Sequence, residues 1–156
     1  MKLVPLTRGQ FAIVDDADFD TLIEFKWYAQ WNESTKSFYA ARASYRRQVR
    51  MHRVIMGLGH GRRRPVDHIN RNTLDNRREN LRICTPTQNC ANSVRSKRNS
   101  TGYKGVTFNK QQGRYVARVR INCKSKFLGY FSDPKLAHEA YVKAATKLFG
   151  KFANAG

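Results

Sequence analysis

At 156 residues, with 30 Lys and Arg against 11 Asp and Glu and a formal charge of +19, the chain has room for one ordinary domain or two small ones and is far more basic than an average soluble enzyme. Such an excess calls for a polyanionic partner, and nucleic acid is favoured over a membrane surface because the basic residues alternate with aromatics and β-formers instead of lining one face of an amphipathic helix. Cys84, Cys90 and Cys123 form no CxxC pair, which argues against a disulfide framework and structural zinc; with no membrane-spanning apolar run and no signal-peptide core in MKLVPLTRGQ, a cytoplasmic protein is expected.

The charge is unevenly placed. Residues 1–41 hold four Lys/Arg and six Asp/Glu, net −2, while residues 42–156 hold 26 and five, net +21. The cationic surface therefore belongs to the last three quarters of the chain, and the N-terminal part reads as a packing module. It offers a strand at Phe11–Val14, then a helix that starts acidic at DDADFD and continues through Phe19, Leu22, Ile23 and Lys26 at helical spacing. Alternating runs at Phe38–Ala43 and Val49–Ile55, joined by SYRRQ, predict a hairpin. His52 falls within the second run, where a packing role is the favoured reading. GLGHGRRRP at 57–65 breaks regular structure.

Residues 66–92, VDHINRNTLDNRRENLRICTPTQNCAN, concentrate Asp, His and Asn. Val66–Asn70 and Asn80–Ile83 read as two strands of a hairpin with a long loop between them. Thr85-Pro86-Thr87-Gln88 is a helix opening: Thr85 as cap, Pro86 at the first position and Gln88 as the reciprocal partner of a capping box. A helix folding back over that hairpin could bring Asp67, His68 and Asn89 together. A carboxylate and an amide oxygen suit a hard divalent cation that keeps its other positions for water and phosphate.

A polar, basic break at 91–102, ANSVRSKRNSTG, sets the domain boundary: a first region 1–92, linker 93–101 and a second domain at 102–156. Three β-runs follow, Tyr103–Asn109, Arg114–Ile121 and Lys126–Phe131, predicting an antiparallel meander. In the middle strand Tyr115, Ala117, Val119 and Ile121 face the packing side, while Arg114, Val116, Arg118 and Arg120 face outward. A last helix opens with Asp133 as cap and Pro134 at its first position, and ends before Gly150. Its Ala137, Ala140, Tyr141, Ala144, Ala145 and Leu148 form a stripe that can lie on the sheet. The fold class expected is α+β, a hairpin-and-helix module followed by a three-stranded antiparallel sheet packed on one helix.

Asp67-His68, Asn80 within ENLR, and Asn89 resemble the motif of the HNH nucleases of the ββα-metal superfamily, in particular the small homing endonucleases of phages and mobile introns. The resemblance implies metal-dependent hydrolysis of double-stranded DNA, with His68 as general base, Asp67 and Asn89 as metal ligands and Asn80 as a structural brace. Where many relatives have a final histidine this chain has Asn89, which favours Mg²⁺, or Mn²⁺, over Zn²⁺. Residues 102–153, with YKGV, GRYVARVRI, FLGYF and AHEAYVKAATKLFG, resemble the AP-two/ethylene-response-factor DNA-binding domain of plant regulators, which also occurs in phage HNH enzymes. Its groove-facing positions correspond to Lys104, Thr107, Asn109, Arg114, Arg118, Arg120, Ser125 and Phe127; replacements at Thr107, Asn109, Ser125 and Phe127 prevent transfer of the plant target sequence. No obligatory protein partner is evident. A non-catalytic DNA-binding regulator is the alternative reading, and a basic RNA-binding protein a third.

Overall fold

The computed structural model describes residues 1–45, 47–58, 64–96, 98–122 and 124–154. It is an α+β protein whose chain divides into two compact units, Met1–Cys84 and Thr85–Gly156. Among the described residues no helix is long and apolar enough to cross a membrane.

The first unit opens with the antiparallel pair β1 (Lys2–Pro5) and β2 (Phe11–Val14), followed by α1 (Asp16–Ile23). Acidic residues in the first turn of α1 suit the positive end of the helix, and two of the acids in this region also reach across the fold. Asp15 accepts the backbone N–H of Arg78 at 2.8 Å, and Asp18 takes Arg78 through two bonds of 2.8 and 2.7 Å. The helix stops at Ile23, three residues short of Lys26, where the chain turns to bury Trp27 and its indole N–H donates to the Leu22 carbonyl at 2.8 Å. Strands β3 (Tyr28–Asn32), β4 (Ser37–Ser44) and β5 (Arg47–Arg50) form an antiparallel sheet in that order.

The strand expected over Val49–Ile55 is corrected here: β5 ends at Arg50, and Met51–Ile55 is a short helix, α2. Met51, His52 and Ile55 are buried, a spacing of helical type. A short mixed run matches both periods, and the packing of Met51 and Ile55 into a core with Val4, Val14, Leu22, Trp27 and Leu81 favours the helix. Residues 59–63 of the basic break lie outside the described residues. Strands β6 (Val66–His68) and β7 (Leu81–Ile83) then pair antiparallel, with Asp67 opposite Arg82 and His68 opposite Leu81. The long loop between them ends in a 3-10 turn, Arg78–Asn80, and docks on β2 by two backbone bonds, Ile13 N–H to Leu74 O and Asn76 N–H to Ile13 O, each 2.8 Å.

The second unit starts with α3 (Pro86–Asn92), whose Thr85–Gln88 capping box is formed in both directions. Strands β8 (Val106–Asn109), β9 (Arg114–Ile121) and β10 (Lys124–Phe131) make the meander, with β9 in the middle. On β9, Ala117 and Val119 are buried on the side facing α4 (Pro134–Phe149) and pack with Val106, Ala137, Tyr141 and Ala145. Asp133 caps α4, accepting the N–H groups of Lys135 and Leu136. Leu148 departs from the expected stripe: it is exposed, at 44%.

The first meander strand begins at Val106, not Tyr103, because Gly105 makes a turn with φ of 76°. A Cβ there would meet the Tyr141 ring at 2.1 Å. Gly105→Ala is therefore expected to destabilise the second unit by about 2–3 kcal/mol, since it combines a left-handed backbone with overpacking; urea unfolding measures it.

The stretch at 93–101 is drawn into the second unit by Asn99. Its amide donates to the carbonyls of Tyr103 and Val106, both at 2.9 Å, and its oxygen accepts from Thr101 and Gly102. Lys104 completes the knot, its three ammonium donors matched by the carbonyls of Ala91, Ser93 and Asn154 at 2.8, 2.5 and 2.9 Å.

Candidate active site and nucleic-acid face

Asp67 and His68 are neighbours on β6 and both are buried, at 7% and 5% exposure. Because side chains alternate across a strand, they leave opposite sides of β6. Asp67 meets its cross-strand partner: Arg82 donates Nε and Nη2 to Oδ2 at 2.9 and 2.7 Å. A buried carboxylate demands such charge-assisted partners.

His68 sits in a cluster of rings. Its centroid lies 5.0 Å from that of His52 on α2, at an interplanar angle of 86°, and 6.1 Å from Tyr39 on β4. Nε2 lies 3.5 Å from the amide oxygen of Asn76 in the long loop. Burial is the main force on its titration and holds the imidazole below the ordinary value of 6.5, aided by Arg50. The Asn76 contact and the carboxylates of Asp67 and Asp75 pull the other way. The ring is thus biased towards its neutral form near pH 7. When the Nε2 proton is given to Asn76, Nδ1 is the basic nitrogen.

The loop that brings Asn76 to His68 is held by Asn80 and Asp75. Asn80 accepts the N–H of Asn70 at 2.9 Å and donates to the carbonyl of Asp75 at 2.8 Å, spanning the loop from within. The Asp75 carboxylate, only 2% exposed, accepts Arg77 Nε and Nη2 at 2.9 and 2.8 Å and Asn70 Nδ2 at 2.8 Å. Chiefly through Arg77, its carboxyl lies below the ordinary 3.8. Sequence reasoning missed Asp75, Asn76, Tyr39 and the placement of His52. An Asp two residues before an Arg is the one local signal, and it does not say that the pair is buried.

Asp67, His68 and Asn80 are thus brought together on one hairpin. Asn89 belongs to the second unit, exposed in α3, where its N–H bonds to the Thr85 carbonyl at 2.9 Å. Among the described residues no cluster of three or more His, Cys, Asp or Glu could hold a metal ion. The chemistry of the donors in question is a carboxylate and an amide oxygen, hard ligands of the kind Mg²⁺ takes in small number.

In the second unit the register sets Thr107 opposite Val116, Asn109 opposite Arg114, Phe127 opposite Arg118 and Ser125 opposite Arg120. Thr107, Asn109, Arg114, Arg118, Arg120, Ser125 and Phe127 therefore share one sheet face. Among the described residues Arg114, Arg118 and Arg120 are exposed and have no carboxylate partner. Tyr130, 5.0 Å from Phe127 between ring centroids, adds a second exposed aromatic that the sequence reading passed over. Two positions have other tasks. The Lys104 ammonium is held by its three carbonyls, and the Asn109 oxygen caps the following turn through the N–H groups of Gln111 and Gln112 at 3.0 and 3.3 Å.

A buried imidazole beside a carboxylate on the β6–β7 hairpin, and an arginine-rich sheet face in the second unit, are the two features of the chain that bear on function. A family profile described as HNH endonuclease matches residues 49–91, the span that holds His52, the β6–β7 hairpin and most of α3. The chain is 31% identical over 150 residues to an uncharacterized HNH endonuclease of Acanthamoeba polyphaga mimivirus, covering 94% of this chain and 74% of that protein. It is 30% identical over 89 residues to Protein 3.8 of Escherichia phage T7, covering 56% and 72%. No solved structure matches it. The chain belongs to the HNH endonuclease family.

Proposed function

We propose that the protein is a metal-dependent endonuclease that hydrolyses phosphodiester bonds of double-stranded DNA at a recognised site, in the manner of a homing endonuclease. The observation that carries this reading is His68, buried, biased to its neutral form and adjacent to Asp67 within the span that matches the family. His68 takes the proton of the attacking water, and Asn76, with the ring cluster, orients the imidazole. Asp67 and Asn89 would hold a divalent ion, Mg²⁺ or Mn²⁺, and when bound that ion stabilises charge on the phosphate and on the leaving 3′ oxygen. Arg82 fixes the Asp67 carboxylate, and Asn80 and Asp75 hold the loop that carries Asn76. The products are 5′-phosphate and 3′-hydroxyl ends.

The C-terminal sheet, read as an AP-two/ethylene-response-factor-like domain, lies in the major groove. Its arginines contact guanine edges and phosphates, and Phe127 and Tyr130 supply apolar contact. Each phosphate neutralised contributes about −0.9 to the slope of log affinity against log salt. Arg118→Ala is expected to flatten that slope by about 1 if it contacts a phosphate, and to relax base preference at one position if it contacts guanine; binding titrations across salt and sequence separate the two.

The experiment that tests the reading is cleavage of supercoiled plasmid and phage DNA with Mg²⁺ or Mn²⁺, set beside chelator and the His68→Ala variant. Cutting by the wild type alone upholds it. Binding without cutting by all samples, over a varied set of targets, makes the protein a DNA-binding regulator.

A further inference from the structure

The arginines of the first unit divide into two kinds. Arg77, Arg78 and Arg82 are bound to the carboxylates of Asp75, Asp18 and Asp67 in turn. Arg50, the last residue of β5, is half-buried, and among the described residues no carboxylate or other hydrogen-bond acceptor meets its guanidinium. It lies instead over Tyr39, with Cζ 4.4 Å from the ring centroid. Stacking of this kind engages the flat face of the guanidinium and leaves its N–H groups, which point outward in the plane, to other partners.

The register places that guanidinium beside the His68 site. Arg50 stands opposite Ala41, two residues along β4 from Tyr39, so Arg50 and Tyr39 share one face of the sheet. The same Tyr39 ring lies 6.1 Å from His68 and 5.9 Å from His52 between centroids. Arg42 makes the contrast: next to Ala41 on β4, it leaves the opposite face and stacks on Phe25 at 3.9 Å and Trp27 at 5.7 Å, with its Nε buried. A cation carried on an aromatic face, with its donors unspent, is suited to a bidentate grip on phosphate. We propose that Arg50 is a phosphate-binding residue of the reaction: its guanidinium donates two N–H bonds to the non-bridging oxygens of the phosphodiester hydrolysed beside His68, and Tyr39 fixes it there. This rests on the reading of His68 as the base. The N–H groups meet the oxygens on which charge gathers as water attacks, so the contact strengthens towards the transition state. The task differs from that of the arginines on the C-terminal sheet, which set position on the duplex, whereas Arg50 acts at the bond that is cut.

The test compares wild type, Arg50→Gln and Arg50→Lys as full chains. Glutamine keeps a flat group over Tyr39 and loses the charge; lysine keeps the charge and loses the fork. Equilibrium binding to a mixed-sequence DNA duplex, measured with chelator across a range of salt, reports phosphate contact without cleavage, and single-turnover cleavage of plasmid or phage DNA with Mg²⁺ reports the reaction. Arg50→Gln is expected to flatten the slope of log affinity against log salt by about 0.9, one neutralised phosphate, and to slow cleavage by about a hundredfold. Arg50→Lys is expected to keep the wild-type slope and to cut at a rate between the other two. An Arg50→Gln protein with the wild-type slope overturns the proposal, as does one that cuts at the wild-type rate. A slope flattened equally in Arg50→Lys also overturns it, because the loss then follows from a disturbed fold and not from the charge. If the wild type cuts no DNA the nuclease reading fails, and the salt slopes alone still decide whether Arg50 holds a phosphate.

Discussion

Replacing His68 by alanine is expected to lower the rate of DNA cleavage by about 10²–10⁴-fold, the usual contribution of a general base, while changing DNA affinity by no more than about twofold. The separation follows from placement. His68 is 5% exposed on a hairpin of the first unit, whereas the exposed arginines lie on the sheet face of the second. The wild-type rate should also fall in acid, because only the neutral imidazole can accept a proton. Burial holds His68 below its ordinary value of 6.5, so the acid limb of the rate profile is expected to have its midpoint below that pH. A His68→Ala protein that cuts at the wild-type rate removes His68 from the role of base.

The second large effect is on stability. Asp75→Ala is expected to destabilise the first unit by about 3 kcal/mol, because it breaks a buried ion pair and leaves Asn70 and Arg77 without their shared acceptor. Arg77, with 30% of its side chain exposed, recovers part of its hydration, which keeps the loss at the lower end for such pairs. Asp75→Asn preserves the shape and should cost less. The pH dependence has a definite sign. Since the folded-state carboxyl lies below 3.8, its contribution is fully present above that value and is lost as pH falls through the lower, folded-state one. Urea unfolding of the three proteins at neutral and acid pH measures this, and the difference between wild type and Asp75→Ala should shrink in acid. Cleavage should fall in Asp75→Ala as well, because the loop that presents Asn76 to His68 loses its anchor.

Several elements were legible from local chemistry. The Thr85–Gln88 capping box, the Asp133 cap of α4, the extent of β9 and the pairing of the Val66 and Ile83 ends of the hairpin all follow from short-range rules: a hydroxyl or carboxylate matched to free N–H groups, a fixed φ at proline, and the alternation of side chains along a strand, although Val116, expected outward with the arginines of β9, is only 2% exposed. So did the sharing of one sheet face by Thr107, Arg114, Arg118, Arg120, Ser125 and Phe127, since the alternation of β9 and two short turns leave little freedom of register.

Other features depended on contacts between residues distant in the chain. The helix at Met51–Ile55 replaced a strand because the core accepted Met51 and Ile55 together, a preference that a mixed run of seven residues does not encode. Lys104 looks in sequence like one more cation for a phosphate, yet three carbonyls from 11 to 50 positions away claim its ammonium. Asp75 and Asn76 look like loop polarity until the loop closes on β2 and buries them. The amino-acid sequence by itself determined the capped helices α3 and α4, the β6–β7 hairpin, the C-terminal meander, the charge of its sheet face and the family, because those rest on neighbours and on composition. Which polar side chains became buried partners, and that His52 came to lie against His68, was decided only by tertiary structure, because burial and ring contact are properties of where distant segments meet.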